Sequence, residues 1–152
     1  MDQQSLQVIE QEHFLINEDA TLRMGKKLAA NLSAGMTVFL NGPLGAGKTT
    51  LCRGILQSYG YTGTVKSPTY TLVETYPDLT IPVCHFDLYR LGDPEELEYI
   101  GIRDYFSGVN LCLVEWAERA ENYLPQPDFI VMLTPANKNG QYGRKMAIKP
   151  AR

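Results

Sequence analysis

Gly42-Pro43-Leu44-Gly45-Ala46-Gly47-Lys48-Thr49 is the stretch of this sequence that decides the fold. Glycines at these positions let a backbone curl around phosphate oxygens, and the lysine supplies a positive charge. The β-branched and aromatic run Thr37–Leu40 enters the loop, and a helical period follows from Lys48 to Ser58. A strand, a phosphate-binding loop (P-loop) and a helix therefore occur in the order that such a site requires.

The loop predicts a binding site for ATP and Mg²⁺. Pro43 has no N–H, so the amides that cradle the phosphates must come after it, at the N-terminus of the following helix. Lys48 would place its charge on the β- and γ-phosphates, and the Thr49 hydroxyl would ligate Mg²⁺. Asn17 is a further candidate for a nucleotide contact, although its side chain equally suits a helix cap. The predicted nucleotide-binding residues are Gly45, Ala46, Gly47, Lys48, Thr49, Thr50 and Asn17.

Two apolar runs end in a carboxylate, as the magnesium-binding or water-orienting acid of a P-loop enzyme requires. One ends in Asp87 and the other in Glu115. Either acid could instead be a cap or a surface ion-pair partner, and we expect both in the site. His85 precedes Asp87 on the same strand face, where proton transfer is conceivable, but we favour a hydrogen-bonded histidine within the sheet.

Two further segments suggest nucleotide or partner contacts. Ser67, Thr69 and Thr71 offer three hydroxyls around Pro68, which resembles a switch segment that senses the γ-phosphate. An ordinary turn explains these residues almost equally well. Trp116, directly after Glu115, is a candidate to stack on the nucleotide or on a partner, with a place in the core as the alternative.

The remaining elements complete one α/β domain over residues 1–152. Asn17 and the acids after it predict a helix from about Glu18 to Ser33, ended by Gly35. We expect a three-layer αβα P-loop NTPase fold whose mixed sheet is mostly parallel. The other predicted elements are strands over 70–76 and 80–87 as a hairpin, a short acidic helix after Asp93-Pro94, a helical stretch over 116–123, and strands over 129–134 and 145–149 around the loop 137–140.

The composition limits the classes of function. The chain has 152 residues, 44% of them hydrophobic, which suffices for one buried core. A formal net charge of −3 gives no overall attraction to phosphate backbones, so any nucleic-acid role should be indirect or local. Cys52, Cys84 and Cys112 have no metal-ligand spacing, which indicates buried thiols. With no signal-peptide or membrane-span pattern, we expect a soluble, cytoplasmic protein.

Four motifs occur together in one order, and together they resemble the TsaE (YjeE) family of small bacterial ATPases. The motifs are Gly42–Thr50, Ser67–Leu72, His85–Leu91 and Val114–Trp116. The resemblance spans about Asn17 to Trp116. Family members often carry aspartate where this chain has Pro43, which removes a charge beside the phosphates but leaves the glycines and the lysine intact.

The resemblance implies a specific biochemical setting. It implies work with TsaB and TsaD in making threonylcarbamoyl-adenosine in tRNA, with ATP hydrolysis supporting turnover or resetting of the transferase complex. It also implies Thr49 and Glu115 as Mg²⁺ ligands and Asp87 as the Walker B type acid, which with Lys48 completes the catalytic set. We expect tRNA to be contacted only indirectly, and the protein alone to be a monomer or a weak dimer.

Other functions share the same loop. A small-molecule kinase normally needs an arginine-rich lid, and between Trp116 and Gln141 the chain has only Arg119 and Lys138. A GTPase would need a guanine-reading Asn-Lys-x-Asp, which Asn137–Gly140 does not match. A nucleotide-dependent interaction subunit without productive hydrolysis remains open. Because no arginine is obviously placed as a finger in cis, we expect slow hydrolysis alone and activation by partners.

Overall fold

The computed structural model describes residues 12–65 and 68–151, and these form a seven-stranded sheet in the order β1-β7-β6-β2-β5-β4-β3. The strands are β1 (His13–Leu15), β2 (Thr37–Asn41), β3 (Val73–Tyr76), β4 (Val83–Asp87), β5 (Leu111–Glu115), β6 (Phe129–Lys138) and β7 (Gln141–Pro150). The helices are α1 (Glu18–Ala29), α2 (Lys48–Ser58), α3 (Glu96–Tyr99) and α4 (Ile102–Tyr105), with 3₁₀ turns at Ala117–Arg119 and Glu121–Tyr123.

The sheet is mixed and mostly parallel, as predicted. The neighbours β6, β2, β5 and β4 are parallel, and β1 runs in their direction because it is antiparallel to β7. Only β7 and β3 among the described strands run the other way. In open α/β sheets, ligands bind beyond the carboxyl ends of such parallel strands. This edge is where β2 enters the P-loop and where β4 and β5 end in Asp87 and Glu115.

One face of the sheet is covered by α1 and α2, which cross at two glycines. A Cβ on Gly25 would collide with the carbonyl oxygen of Leu51, and a Cβ on Gly54 would collide with that of Leu22. Larger residues would push the helices apart and open the core beneath them. This close crossing holds α2, and with it the end of the P-loop, firmly against the sheet.

The opposite face is covered by short elements around a second apolar cluster. Phe86 lies at its centre, with the Phe106 ring stacked on it at 5.4 Å and the Tyr105 ring edge-on at 5.5 Å. The helices α3 and α4 and the two 3₁₀ turns form this layer. The predicted three-layer arrangement is therefore present, with a thick layer on one side of the sheet and a thin one on the other.

Several predicted boundaries were wrong. Helix α1 ends at Ala29 rather than Ser33, because Asn31 N–H bonds to Leu28 O at 2.8 Å and its side chain bonds to Lys27 O, which closes the helix early. Residues 116–123 form two 3₁₀ turns rather than one helix. Strand β3 begins at Val73 rather than residue 70, because Leu72 N–H bonds back to Pro68 O and Leu72 has φ +68°.

The chain after residue 127 forms a long antiparallel hairpin. Both β6 and β7 extend past the predicted strands, and a two-residue turn at Asn139-Gly140 joins them. Both turn residues have positive φ, 53° and 83°, which is the geometry of the tight turns that connect hairpins.

None of the helices within residues 12–65 and 68–151 combines the length and apolar character needed to cross a membrane.

Candidate nucleotide-binding site

A pocket of about 600 Å³ lies at the carboxyl ends of β2, β4 and β5. The P-loop forms its floor, and the two predicted acids lie on its side. The lining residues are Glu18, Leu44, Gly45, Ala46, Gly47, Lys48, Thr49, Thr50, Thr69, Asp87, Tyr89, Arg90, Glu115, Trp116 and Arg144.

The P-loop has the curled backbone that its glycines predict. Gly47 has φ +101°, a value that L side chains rarely adopt, and it caps the N-terminus of α2. Gly42 lies so close to β6 that a Cβ there would collide with the carbonyl oxygen of Leu133. The loop is therefore fixed at one end by the sheet and at the other by the helix, whose N-terminal amides are suited to an anion.

Lys48 is buried at the base of the pocket. Its side chain is 5% exposed, and its Nζ donates to Gly42 O at 2.6 Å and lies 3.9 Å from the centre of the Trp116 ring. Burial lowers the pKa of Lys48 from its usual value, against an opposing effect of Glu115 and Asp87. The lysine thus bridges the start of the loop and the indole, within the same pocket as both acids.

Glu115 is held from two sides. Thr49 Oγ1 donates to its Oε2 at 3.2 Å, and Nε2 of His85 lies 2.6 Å from the same oxygen. Both Glu115 and His85 are buried, whereas Thr49 is half-buried at the pocket. Burial alone would lower the pKa of His85, but the nearby Cys52 and Glu115 outweigh it and raise the pKa to about 10. The 2.6 Å contact with His85 therefore orients Glu115 toward Thr49.

Asp87 is held by the segment after Pro68 and by its own strand end. Thr69 Oγ1 donates to Asp87 Oδ2 at 3.1 Å, and Tyr89 N–H donates to Oδ1 at 3.0 Å. Asp87 pairs with Glu115 in the register of β4 and β5. The two acids therefore lie side by side at one edge of the sheet, and each is bonded to a threonine from a different loop.

The oxygen atoms around the pocket suit a hard divalent cation. Mg²⁺ prefers carboxylate, hydroxyl, phosphate and water oxygens, and Thr49 and Glu115 provide adjacent hydroxyl and carboxylate groups. The sulfur of Cys52 and the imidazole of His85 lie within 4.8 Å of a Glu115 oxygen. Since soft or nitrogen ligands do not suit Mg²⁺, these two residues support the carboxylate from behind rather than complete a metal shell.

Most predicted site residues line the same pocket, and a few lie elsewhere. Asn17 is not among the described lining residues; its side chain accepts from Ala20 N at 2.9 Å and so caps α1. Thr71 bonds to Glu74 at 3.1 Å on the exposed side of its turn. Ser67 lies outside the described residues. The residues that the structure places in the pocket are Gly45, Ala46, Gly47, Lys48, Thr49, Thr50, Thr69, Asp87, Glu115 and Trp116.

Trp116 faces the pocket in a strained backbone conformation. Its φ of +60° is rare for a residue with a large side chain. The Tyr89 ring packs against the indole at 4.9 Å, and the Arg119 guanidinium lies 5.5 Å from the Tyr89 ring centre. The aromatic pair thus forms one wall of the pocket next to Lys48 rather than part of the main core.

The sequence prediction missed two arginines at the pocket. No arginine was obviously placed at the site by the sequence alone, whereas in the structure Arg90 and Arg144 both line the pocket. The Arg90 guanidinium lies 4.6 Å from the Tyr70 ring centre, whereas Arg144 reaches from β7 to Gly47. The Asn139-Gly140 pair was a usable signal, since a two-residue hairpin turn there sets a register with Arg144 opposite Pro135.

Comparison with known proteins gives the family of this chain. The family model described as "Threonylcarbamoyl adenosine biosynthesis protein TsaE" matches residues 15–146 of the chain. The chain belongs to the TsaE family. The match contains the P-loop, both acids and the β6–β7 hairpin as far as residue 146, so all the residues that line the pocket lie within it.

Individual TsaE relatives support the assignment. A Haemophilus influenzae protein described as tRNA threonylcarbamoyladenosine biosynthesis protein TsaE is 53% identical over 123 residues, 78% of each chain. A Bacillus subtilis protein with the same description is 40% identical over 121 residues, 80% of this chain and 75% of its own. The crystal structure of Bacillus subtilis YdiB superposes with a TM-score of 0.77 at 30% identity, covering 93% of this chain and 86% of that one. The α/β P-loop fold is thereby confirmed.

Proposed function

We propose that this protein binds ATP with Mg²⁺ in the P-loop pocket and hydrolyses it in the pathway that makes threonylcarbamoyladenosine in tRNA. The proposed partners are TsaB and TsaD, whose turnover the hydrolysis supports. The observation that carries the proposal is the convergence of the P-loop, Thr49 with Glu115, and Thr69 with Asp87 on one pocket. Membership of the TsaE family supports the pathway.

The proposed roles follow from the chemistry of each residue. The N-terminal amides of α2 and the Lys48 ammonium bind phosphate oxygens and offset their charge. Thr49 and Glu115 hold Mg²⁺, which when bound neutralises charge on the β- and γ-phosphates. Asp87 would support the bound ion or orient the attacking water, and His85 orients Glu115 through the 2.6 Å contact.

Partner activation has a structural rationale in the turn that contains Thr69. The Tyr70 ring in this turn is 81% exposed, although its neighbour Thr69 bonds to Asp87 inside the pocket. A protein that covers Tyr70 would therefore fix the residue that orients Asp87. We expect hydrolysis to be slow in the isolated protein and to increase by about 10³-fold or more in the complex, the range seen when a partner completes a P-loop site.

Nucleotide binding provides the first test. Lys48→Ala and Thr49→Ala should lose Mg-ATP binding while keeping the melting temperature near that of the wild type, with binding followed by calorimetry. Lys26→Ala, which removes an exposed lysine from α1, is the matched control and should bind normally. Wild-type affinity in both loop variants would mean that the nucleotide binds elsewhere.

Hydrolysis with and without partners provides the second test. Phosphate release should be slow for the protein alone and fast with TsaB and TsaD, and it should depend on Mg²⁺. Full-rate hydrolysis that the partners leave unchanged would contradict partner activation. Tight Mg-ATP binding with no hydrolysis under either condition would instead favour a nucleotide-dependent interaction subunit.

A further inference from the structure

Two arginines that line the pocket, Arg90 and Arg144, have no role in the proposed function, and Arg144 extends to the P-loop. Arg144 lies on β7, opposite Pro135 of β6 and Leu15 of β1. Its side chain nevertheless lines the nucleotide pocket and extends to Gly47. The side chain must therefore cross the end of β6 to reach the loop that follows β2.

The contact with Gly47 is close. An ideal Cβ placed on Gly47 would lie 3.1 Å from Cζ and 3.2 Å from Cδ of Arg144, with a guanidinium nitrogen nearer still. Any side chain at position 47 would thus displace the arginine, in addition to disfavouring the φ of +101°. The bare backbone at Gly47 therefore serves two purposes: it shapes the loop, and it leaves room for the guanidinium.

The charges around Arg144 are not balanced within the described chain. Residues 12–65 and 68–151 supply its side chain with neither a hydrogen bond nor an ion pair. The acids that share its pocket bond to other groups: Glu18 to Arg53 at 2.7 Å, Glu115 to His85 and Thr49, and Asp87 to Thr69 and the Tyr89 N–H. The positive N-terminus of α2 begins at Gly47, so Arg144 adds a positive charge to a region that is already positive.

Such an arrangement is costly unless an anion joins it. Ordering an arginine side chain costs rotamer entropy, and the nearby helix N-terminus repels it. A phosphate group would reverse the sign of this interaction, because a guanidinium offers parallel N–H donors that match phosphate oxygens. Gly47 belongs to the part of the P-loop whose amides are suited to phosphate. The same phosphate group would therefore suit both the loop and Arg144.

We propose that Arg144 is a phosphate-binding residue of the nucleotide site, supplied by β7 to the far side of the P-loop. The inference rests on the proposed function, because it assumes that a nucleotide occupies this pocket. In this arrangement Lys48 approaches the phosphates from α2 and Arg144 approaches them from the β6–β7 hairpin. The hairpin, which carries no P-loop motif, is then part of the nucleotide site.

The test compares the affinities of Arg144→Gln and the wild type for AMP, ADP and ATP, by calorimetry with Mg²⁺ present. Loss of a charge-assisted contact should weaken the binding of ADP and ATP by about 10- to 100-fold. The affinity for AMP, which lacks the β- and γ-phosphates, should change little. Arg144→Lys keeps the charge without the paired donors, so its affinities for ADP and ATP should lie between those of the wild type and Arg144→Gln. This variant also provides the test if Arg144→Gln does not fold.

The matched control is Lys145→Gln, on the adjacent residue of the same strand. Alternate strand residues point to opposite faces, and Lys145 is half-exposed beside Glu12, with 3.9 Å between Nζ and Oε1. This variant removes the same charge and should bind ADP and ATP as the wild type does. A merely structural Arg144 would lower the melting temperature of Arg144→Gln without a dependence on the number of phosphates.

The outcomes separate this inference from the proposed function. If wild type binds ATP in a Lys48-dependent manner while Arg144→Gln and Lys145→Gln bind it equally well, the role of Arg144 is overturned and the proposed function stands. If wild type binds no nucleotide, or Lys48→Ala binds as tightly as wild type, both fail. A selective loss of ADP and ATP affinity in Arg144→Gln supports both.

Discussion

Glu115 and Asp87 end neighbouring parallel strands in register, yet the two carboxylates are held by different kinds of structure. Glu115 bonds to His85, which is fully buried, and to Thr49 on the first turn of α2. Asp87 bonds to Thr69, which belongs to a turn whose Tyr70 ring points into solvent. The immediate surroundings of one acid belong to the core, and those of the other reach the surface.

This difference indicates separate roles for the two acids in the proposed site. A carboxylate fixed by buried partners is already oriented before any ligand binds, which suits a metal ligand. A carboxylate whose partner lies on an exposed turn is open to adjustment by a second protein, which suits a residue used in a partner-activated step. We therefore expect Glu115 to control Mg²⁺ binding and Asp87 to control the rate within the complex.

The largest effect is expected from Glu115→Gln. Losing a metal-ligating charge should lower hydrolysis by about 10³-fold, since metal stabilisation of the transition state contributes several kcal/mol. It should also raise the Mg²⁺ concentration needed for half-maximal activity, which a magnesium titration of phosphate release measures. Glu121→Gln, at an exposed 3₁₀ turn, is the control and should be unaffected.

Asp87→Asn sharpens the same comparison. This variant should also lose hydrolysis, by about 10²-fold or more, but with little change in the Mg²⁺ requirement, because its role is toward water rather than direct metal binding. The measurement is the same magnesium titration with partners present. Full activity in both acid variants would end the two-carboxylate account, and equal shifts in Mg²⁺ requirement would remove the division between the acids.

A smaller effect is expected from His85→Asn. Removing the partner that orients a ligating carboxylate typically weakens metal affinity by about 10- to 100-fold. We expect a raised Mg²⁺ requirement with ATP still bound at saturating Mg²⁺, together with a lower melting temperature because the site is buried. Cys52→Ser, which alters the other neighbour of His85, is the comparison. A Mg²⁺ requirement that stays at the wild-type value would show that Glu115 needs no support.

The smallest effect is expected from Thr69→Ala, and only in the complex. Loss of one hydrogen bond to Asp87 corresponds to about 1 kcal/mol, or roughly fivefold in rate. Thr71→Ala in the same turn, whose hydroxyl bonds to Glu74, is the matched control and should retain the wild-type rate. Equal losses in the two variants would show that the turn acts as a whole rather than through Asp87.

The parts of the site that follow the P-loop and the parallel strands were predictable from sequence. Buried runs ending in Asp87 and Glu115 had to end at the edge where the loop begins, because parallel strands share that direction. The histidine within the sheet also follows the preferred interpretation, since His85 is buried and hydrogen-bonded. These predictions depended on local patterns of four to eight residues, which can be recognised directly in the sequence.

Two features were not predictable in the same way. Pro68 indicated a turn, but Leu72 adopts a positive φ, which leucine rarely does, so the extent of the turn left no signal and the strand was predicted to start too early. Arg144 was missed because Pro135 and Gly143 interrupt the strand pattern on both sides of the hairpin. Long-range register, rather than local propensity, places its side chain at Gly47.

Sustained tRNA modification is the most direct measurement of the central claim. Threonylcarbamoyladenosine formation would be followed over many turnovers in a reaction reconstituted from purified TsaB, TsaD, ATP, tRNA and the remaining pathway components, with wild-type protein, with Lys48→Ala, or with neither. We predict continued product formation only with the wild type. A sustained yield without the protein, or an equal yield with Lys48→Ala, would contradict the account.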